Sequence, residues 1–356
     1  MIRVLVADDS ATSRALLVGL FAAESDFHVV GEAKNGQEAV DMAERLAPDL
    51  ITMDVQMPVM DGLEATKQIM VRSPRPIIIV SSTAREHEVK LSLEATRAGA
   101  LMVLPKPEGP ASPGFAFDRR QIVSMARAMS AVKVVRRHGA GTPSVSREAA
   151  PSRASTPASP RPHGRGAIRL VAIAASTGGP AAIQAILSEL PPSFPVPILV
   201  VQHIARGFTT GLAHWLAGDT ALDVRVAELN EAASAGAVYI APDNRHIGCR
   251  VDGVGAIRIV LDDTAAEGAF RPSASYLFRS VAESLGANAV CVILTGMGDD
   301  GIAGLRAVKA AGGKVIAQDE ASSVIYGMPR EAARAGVVDA IVPLTGIARR
   351  LVELTS

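Results

Sequence analysis

The sequence predicts two doubly wound α/β domains, each built on a parallel sheet. Three observations carry this reading. Apolar, β-branched runs recur along the 356 residues and alternate with stretches of helical spacing. Residues able to do chemistry repeatedly fall just after those runs, at the carboxyl ends of the predicted strands. A stretch rich in Pro, Ser, Ala and Arg, with no hydrophobic period, separates two such series. The boundaries read as a first domain over 1–138, a tether over 139–166 and a second domain over 167–356.

In the first series, residues 2–7 form an apolar strand that ends in Asp8-Asp9-Ser10. A helix over 12–23 follows, with Leu16, Leu17, Leu20 and Phe21 at helical spacing. Residues 27–32 are a second strand, and Asn35-Gly36 opens a helix through Ala39, Val40 and Met42. The third strand, 50–53, ends at Asp54, and a helix leaves after Asp61-Gly62. The fourth strand, 76–80, ends at Ser81-Ser82. A helix then runs to Gly99, a fifth strand over 101–104 precedes Pro105-Lys106-Pro107, and a last helix spans 118–136.

Strand carboxyl ends converge on one edge of such a sheet, so Asp8, Asp9, Asp54, Ser81 and Lys106 are expected together. Three crowded carboxylates repel one another without a cation, which calls for a hard divalent ion such as Mg²⁺. The lysine and the hydroxyl complete a pocket for a phosphoryl group. These residues, with Asp61-Gly62 and the run Met53-Asp54-Val55-Gln56-Met57-Pro58, resemble the flavodoxin-like receiver domain of two-component response regulators. The resemblance implies that Asp54 accepts the phosphoryl group. Asp8, Asp9, Asp54 and the Gln56 carbonyl would handle Mg²⁺, while Ser81 and Lys106 would contact the phosphoryl oxygens. It also implies a histidine kinase as phosphodonor. One departure is Val103, where many receivers carry an aromatic switch residue.

The second series opens with 170–175, apolar on both parities and therefore a strand buried on both faces. Ser176-Thr177-Gly178-Gly179 follows, and Pro180 suits a first helical position. Ser176 is thus expected at a strand end and near a helix amino end, which suits either a phosphate cradle or an acyl-transfer nucleophile. A strand over 196–201 ends at Gln202-His203, and a helix over 208–216 follows. Short strands around 224–226, 238–240 and 257–260 read as peripheral pairings. After a helix over 273–285, the strand 289–294 ends in Thr295-Gly296-Met297-Gly298-Asp299-Asp300-Gly301. A helix over 302–311 and a strand over 314–317 follow.

Ser176, His203 and Asp300 each follow a central strand, so a parallel sheet can bring them to one edge. His203 would take the Ser176 proton, and an aspartate would hold the imidazole. Asp299 competes with Asp300 for that place, and spacing does not separate them. Backbone N–H groups near Thr177 and Met297 would form an oxyanion hole.

Several segments together carry a closer resemblance: Ala175 to Pro180, Val201-Gln202-His203 with Gly207-Phe208-Thr209, Tyr239-Ile240-Ala241-Pro242, Arg271-Pro272-Ser273, Ile293 to Gly301, and Tyr326-Gly327-Met328-Pro329. They are similar to the Rossmann-like catalytic domain of the chemotaxis protein-glutamate methylesterases. The resemblance implies a phosphorylation-activated methylesterase, and a protein-glutamine deamidase, with Ser176 as nucleophile, His203 as base and Asp300 as acid. Thr177 and Met297 fall on active-site positions. The implied substrate is the cytoplasmic domain of a methylated chemoreceptor, with no cofactor in the catalytic domain. Arg206, where proline is commoner, and Ser275, where an acid or amide is common, depart from the pattern.

Bulk properties bound the alternatives. Formal net charge is +0 and aromatics are 3%, which argues against nucleic acid as a partner. No helix-turn-helix pattern follows the tether. The two cysteines, Cys249 and Cys291, have no metal or redox spacing, so a reduced, cytoplasmic chain is expected. No stretch reads as a signal peptide or bilayer span, so no membrane insertion is expected, and a monomer is expected.

Overall fold

The computed structural model describes residues 1–82, 86–132, 134, 167–267 and 270–356. Both expected parallel sheets are present. The first comprises β1 (Ile2–Ala7), β2 (Phe27–Ala33), β3 (Leu50–Met53), β4 (Ile77–Ser81) and β5 (Met102–Pro105). Their order is β2-β1-β3-β4-β5, and every pairing is parallel. Five helices alternate with them: α1 (Ala11–Ala22), α2 (Gly36–Leu46), α3 (Gly62–Arg72), α4 (Glu86–Ala98) and α5 (Phe115–Ser130). Local chemistry sets several starts. Ser10, Asn35 and Asp61 accept the Ser13, Glu38 and Glu64 N–H groups as helix caps. Glu38 also reaches back to the Lys34 N–H, closing a reciprocal cap. Every residue of β3 and β4 is buried, as helices on both faces of a parallel sheet require.

The last helix of this domain stops at Ser130, short of the expected residue 136. The tether over 139–166 lies outside the described residues.

The second sheet has seven parallel strands in the order β14-β13-β12-β6-β7-β9-β8. They are β6 (Leu170–Ala175), β7 (Ile198–Gln202), β8 (Asp223–Val226), β9 (Ala237–Ile240), β12 (Ala289–Ile293), β13 (Lys314–Gln318) and β14 (Ala340–Val342). Helices α6 (Gly179–Glu189), α7 (Thr209–Ala217), α8 (Ala274–Leu285), α9 (Ile302–Ala310), α10 (Met328–Arg334) and α11 (Leu344–Thr355) surround it. Strand β6 lies at the centre with all six residues buried. Burying one such Ile or Val side chain stabilises by about 1.5–3 kcal/mol, so this strand cannot slip register cheaply.

One expectation is corrected here. Strand β9 is not peripheral: it pairs directly with β7 and is wholly buried, whereas β8 is the edge strand beyond it. The β9 run Ala237-Val238-Tyr239-Ile240 is apolar on both parities, the mark of a strand covered on both faces. The strand around 257–260 does lie apart, as β11 (Ile257–Asp262) in an antiparallel hairpin with β10 (His246–Val251). Strand β10 was not expected, because His246 and Arg250 break up its apolar pattern. The hairpin packs on α8, where Ser280 Oγ accepts the Cys249 N–H at 2.9 Å.

The two domains meet through one face of the first. Helix α4 lies on α7 and α6, and Val89 and Leu93 share a continuous core with Leu212 and Trp215. Gly211 is glycine for a reason: a Cβ there would stand 2.2 Å from Val89 Cγ1. Arg97 of α4 pairs with Asp219 at 3.0 Å. Ile325 of the second domain packs into the cluster of Leu101, Leu104 and Ile122. Among the described residues, no helix is long and apolar enough to cross a membrane.

Candidate active site

Ser176 follows β6, His203 follows β7 and Asp300 lies seven residues after β12, so three adjacent strands deliver them to one edge. The turn at Ser176 is sharp. Gly178 has φ +76°, and a Cβ at Gly179 would stand 2.0 Å from Gln202 Oε1. Gly296 presses against Ser176 from the β12 side, since a Cβ there would meet the Ser176 Cβ at 2.7 Å. Non-glycine residues at these places would push the serine off its corner.

His203 Nε2 lies 3.0 Å from Asp300 Oδ2, and both side chains are nearly buried. This resolves the choice between the two acids: Asp299 is exposed and Asp300 is the one that meets the imidazole. The amino end of α8 holds Asp300. Its Oδ2 accepts the Ala274 N–H at 2.7 Å, and its Oδ1 accepts the Ser275 N–H at 3.0 Å and the Ser273 hydroxyl at 2.9 Å. Burial by itself would raise this carboxyl. The bond to His203, its charge and the two helix N–H groups outweigh burial and leave it at about 2.

An ionised Asp300 has no proton to give, so in this pair His203 Nε2 carries the hydrogen. In the neutral imidazole the lone pair then sits on Nδ1, which is buried and bonded to nothing among the described residues. No hydrogen bond joins His203 to Ser176 among the described residues. Catalytic contacts of this kind often tighten only around substrate.

Other residues hold the constellation. Gln202 Nε2 donates to both the Ser176 and the His203 carbonyls at 2.8 Å, tying serine and imidazole backbones together. Phe270 stacks on His203 with ring centroids 4.2 Å apart and planes 9° apart. Ser275 is buried, and its hydroxyl accepts the Gly301 N–H at 2.8 Å, fixing the loop that carries Asp300. Buried His246 accepts the Ser273 N–H on Nδ1 at 3.2 Å and stacks on Tyr276. No role for Gln202, Phe270 or Ser273 was legible in the sequence. Ser273 had a signal, a serine just ahead of a helical pattern, whereas Phe270 had none. Thr177 is buried and Met297 half-buried; their N–H groups donate to no described residue.

On the first sheet, the donor oxygens of Asp8, Asp9 and Asp54 lie within 4.8 Å of one another. Three carboxylates at that spacing fit a hard divalent cation such as Mg²⁺. Lys106 Nζ bridges Asp54 Oδ2 at 2.8 Å and Asp8 Oδ2 at 2.9 Å. Burial, helped by the Asp8 charge, pushes the Asp54 carboxyl up to about 6 against the pull of Lys106. Burial opposes the Lys106 charge, yet its bonds to Asp54 and Asp8 hold it above the usual range. Ser81 Oγ is buried with no partner among the described residues. Val103 is buried as well. Asp8, Asp9, Asp54 and Lys106 therefore meet, and Ser81 ends the adjacent strand β4.

The serine turn touches the first domain at the amino end of β5, away from the acidic edge. The Gly178 N–H, two residues beyond Ser176, donates to the Leu101 carbonyl beside β5 at 3.2 Å.

A receiver fold with an acidic edge, packed against a seven-stranded sheet that gathers Ser, His and Asp, defines a response regulator with a hydrolase output domain. Residues 4–112 match the response regulator receiver domain family, and residues 171–351 match the CheB methylesterase family, to which this chain belongs. It is 50% identical to a protein-glutamate methylesterase/protein-glutamine glutaminase of Anaeromyxobacter dehalogenans, over 99% of this chain and 98% of the relative. It is also 50% identical to one of Myxococcus xanthus, over 98% and 96% respectively. Among solved structures, the catalytic domain of the Thermotoga maritima CheB methylesterase superposes with a TM-score of 0.52 at 39% identity. That match covers 53% of this chain and 99% of the solved one.

Proposed function

We propose that this chain hydrolyses glutamate methyl esters on chemoreceptors, and deamidates receptor glutamines, under control of phosphorylation at Asp54. The His203–Asp300 pair beside the Ser176 turn carries this reading. Ser176 Oγ attacks the ester carbonyl carbon as its proton passes to His203 Nδ1. Thr177 and Met297 N–H groups receive the oxyanion. Methanol leaves with the proton from His203, and water, deprotonated by His203, then releases the glutamate and frees Ser176. A glutamine follows the same course with ammonia as the leaving group. Gln202 and Phe270 hold the imidazole in place throughout.

In the first domain, Asp8, Asp9 and Asp54 would hold Mg²⁺, whose charge offsets that of the incoming phosphoryl group. Lys106 and Ser81 contact the phosphoryl oxygens. Movement of Ser81 toward that group shifts β4 and α4, which carries Val89 and Arg97. With Val103 in the switch position, no aromatic ring takes part. The Gly178–Leu101 bond and the α4 contacts keep the unphosphorylated receiver against the serine turn, so phosphorylation favours an opened state only through its different contacts in the two states. The functional units are residues 1–138, the tether 139–166 and 167–356, acting as a cytoplasmic monomer that a histidine kinase phosphorylates.

The test is methanol release from a methylated receptor cytoplasmic fragment. Ser176→Ala should lower it by more than about 10³-fold. Near-normal release from this variant would remove Ser176 from the chemistry.

A further inference from the structure

Two arginines beside the His203–Asp300 pair share a single neutral acceptor. Asn244 Oδ1 accepts from Arg206 Nη2 at 2.7 Å and from Arg271 Nε and Nη2 at 3.0 and 2.9 Å. The remaining Arg271 bonds go to the Asp263 and Thr264 carbonyls. Neither guanidinium meets a carboxylate among the described residues. The acids of this rim are engaged elsewhere. Asp243 accepts from the Gly207 N–H and the Thr209 hydroxyl, and Asp263 pairs with Arg245. Asp262 accepts from Tyr276 and the Thr264 N–H.

Asn244 sits at φ +58°, in the left-handed region that an asparagine tolerates better than most residues. Strained backbone of this kind persists where its surroundings hold it, commonly at binding sites. Arg206 lies three residues beyond His203 on the same loop, and it is exposed. Arg271 adjoins Phe270, which stacks on His203, and leads into Ser273 to Ser275, which hold Asp300. Both charges are therefore anchored on the segments that hold the imidazole and its acid.

We propose that Arg206 and Arg271, gathered on Asn244, bind an acidic side chain of the substrate protein next to the glutamyl ester being hydrolysed. Two converging guanidiniums match the two oxygens of a carboxylate and read it more strongly than a neutral amide. Arg206 is exposed at this rim, so this subsite sets a preference for esters flanked by Glu or Asp. The inference rests on the methylesterase reading above.

The experiment follows methanol release by the full-length chain, activated with acetyl phosphate and Mg²⁺, on a methylated receptor fragment. Arg206→Ala should raise KM by about tenfold with kcat little changed, as expected for loss of one charge-assisted contact made equally in ground and transition states. Arg206→Lys should recover part of the loss. Replacing the flanking substrate acid by its amide should raise KM for the parent chain, and raise it by less once Arg206 is alanine, because only Arg271 then remains to read the acid. An unchanged KM, or additive effects of the two replacements, would overturn the proposal. Absence of methanol release from the parent chain, or its persistence in Ser176→Ala, would instead sink the esterase reading, so the two failures are distinguishable.

Discussion

The molecule uses the same architectural feature twice, to opposite electrostatic ends. In each domain, parallel strands deliver side chains to one edge. At the first edge, Asp8, Asp9 and Asp54 crowd around Lys106, and burial leaves the Asp54 carboxyl up at about 6. At the second, one carboxylate, Asp300, faces an imidazole with a helix amino end behind it, and sits at about 2. The first edge crowds like charges together and suits a divalent cation. The second holds one anion bonded to an imidazole and to the amino end of α8. Burial is high at both, so burial does not decide the outcome. The partners do: like charges at one edge, oriented N–H dipoles at the other.

That contrast can be broken at several points. The largest effect is expected at the second edge. Asp300→Asn keeps the shape but loses the anion, and should lower kcat for ester hydrolysis by about 10²- to 10⁴-fold. Asp299→Asn, at an exposed residue one position earlier, should change kcat by less than about threefold. If steady-state kinetics gave the reverse ranking, the Asp300–His203 geometry would not be the working one.

A smaller effect is expected on stability. Because the folded pKa of Asp300 is depressed, its contribution is fully present above the unfolded carboxylate value near ~3.9 and is lost as pH falls through about 2. Urea unfolding of the parent chain between pH 5 and 2 should lose up to about 2 kcal/mol that the Asp300→Asn variant does not lose. Parallel pH profiles for the two proteins would mean that the helix end does not hold the anion. The same depression predicts no acid limb from this residue in the rate profile above about pH 3.

The smallest effect is expected at the domain contact. Arg97 and Asp219 are both solvent-exposed, and such a pair contributes about 0.2–1 kcal/mol. Arg97→Glu should raise the rate of the unphosphorylated chain by about two- to fivefold, read as methanol release without phosphodonor. A fall in that rate would mean that the contact supports the active form instead.

Much of this was legible in the sequence because strand ends are legible. Apolar runs of four to six residues locate the strands, and whatever follows them lies at the edge of a parallel sheet. All eight side chains expected to act, from Asp8 to Asp300, lie at those ends, and the Asp299–Asp300 ambiguity needed only the side-chain direction. Residues that act from outside the strand ends were not legible. Phe270 comes from a loop before α8, and nothing in its spacing ties it to His203. Gln202 was visible as the residue before the histidine, but its double bond to two carbonyls depends on how β6 and β7 pair. Strand β10 was missed because His246 and Arg250 interrupt its apolar pattern, although its first four residues are buried. Arg206 and Ser275 stood out as departures. The structure gives each a physical place: Ser275 braces the Gly301 N–H, and Arg206 shares Asn244 with Arg271.

The central claim is that the acidic edge governs access to the serine edge. It is tested most directly by methanol release from a methylated receptor fragment, with and without acetyl phosphate and Mg²⁺, for the full-length parent chain and for Asp54→Asn. The account predicts a rise of about 5- to 150-fold with phosphodonor in the parent, the range typical of coupled sites, and none in Asp54→Asn. A parent rate that ignores the phosphodonor, or an Asp54→Asn rate that responds to it, would contradict the account.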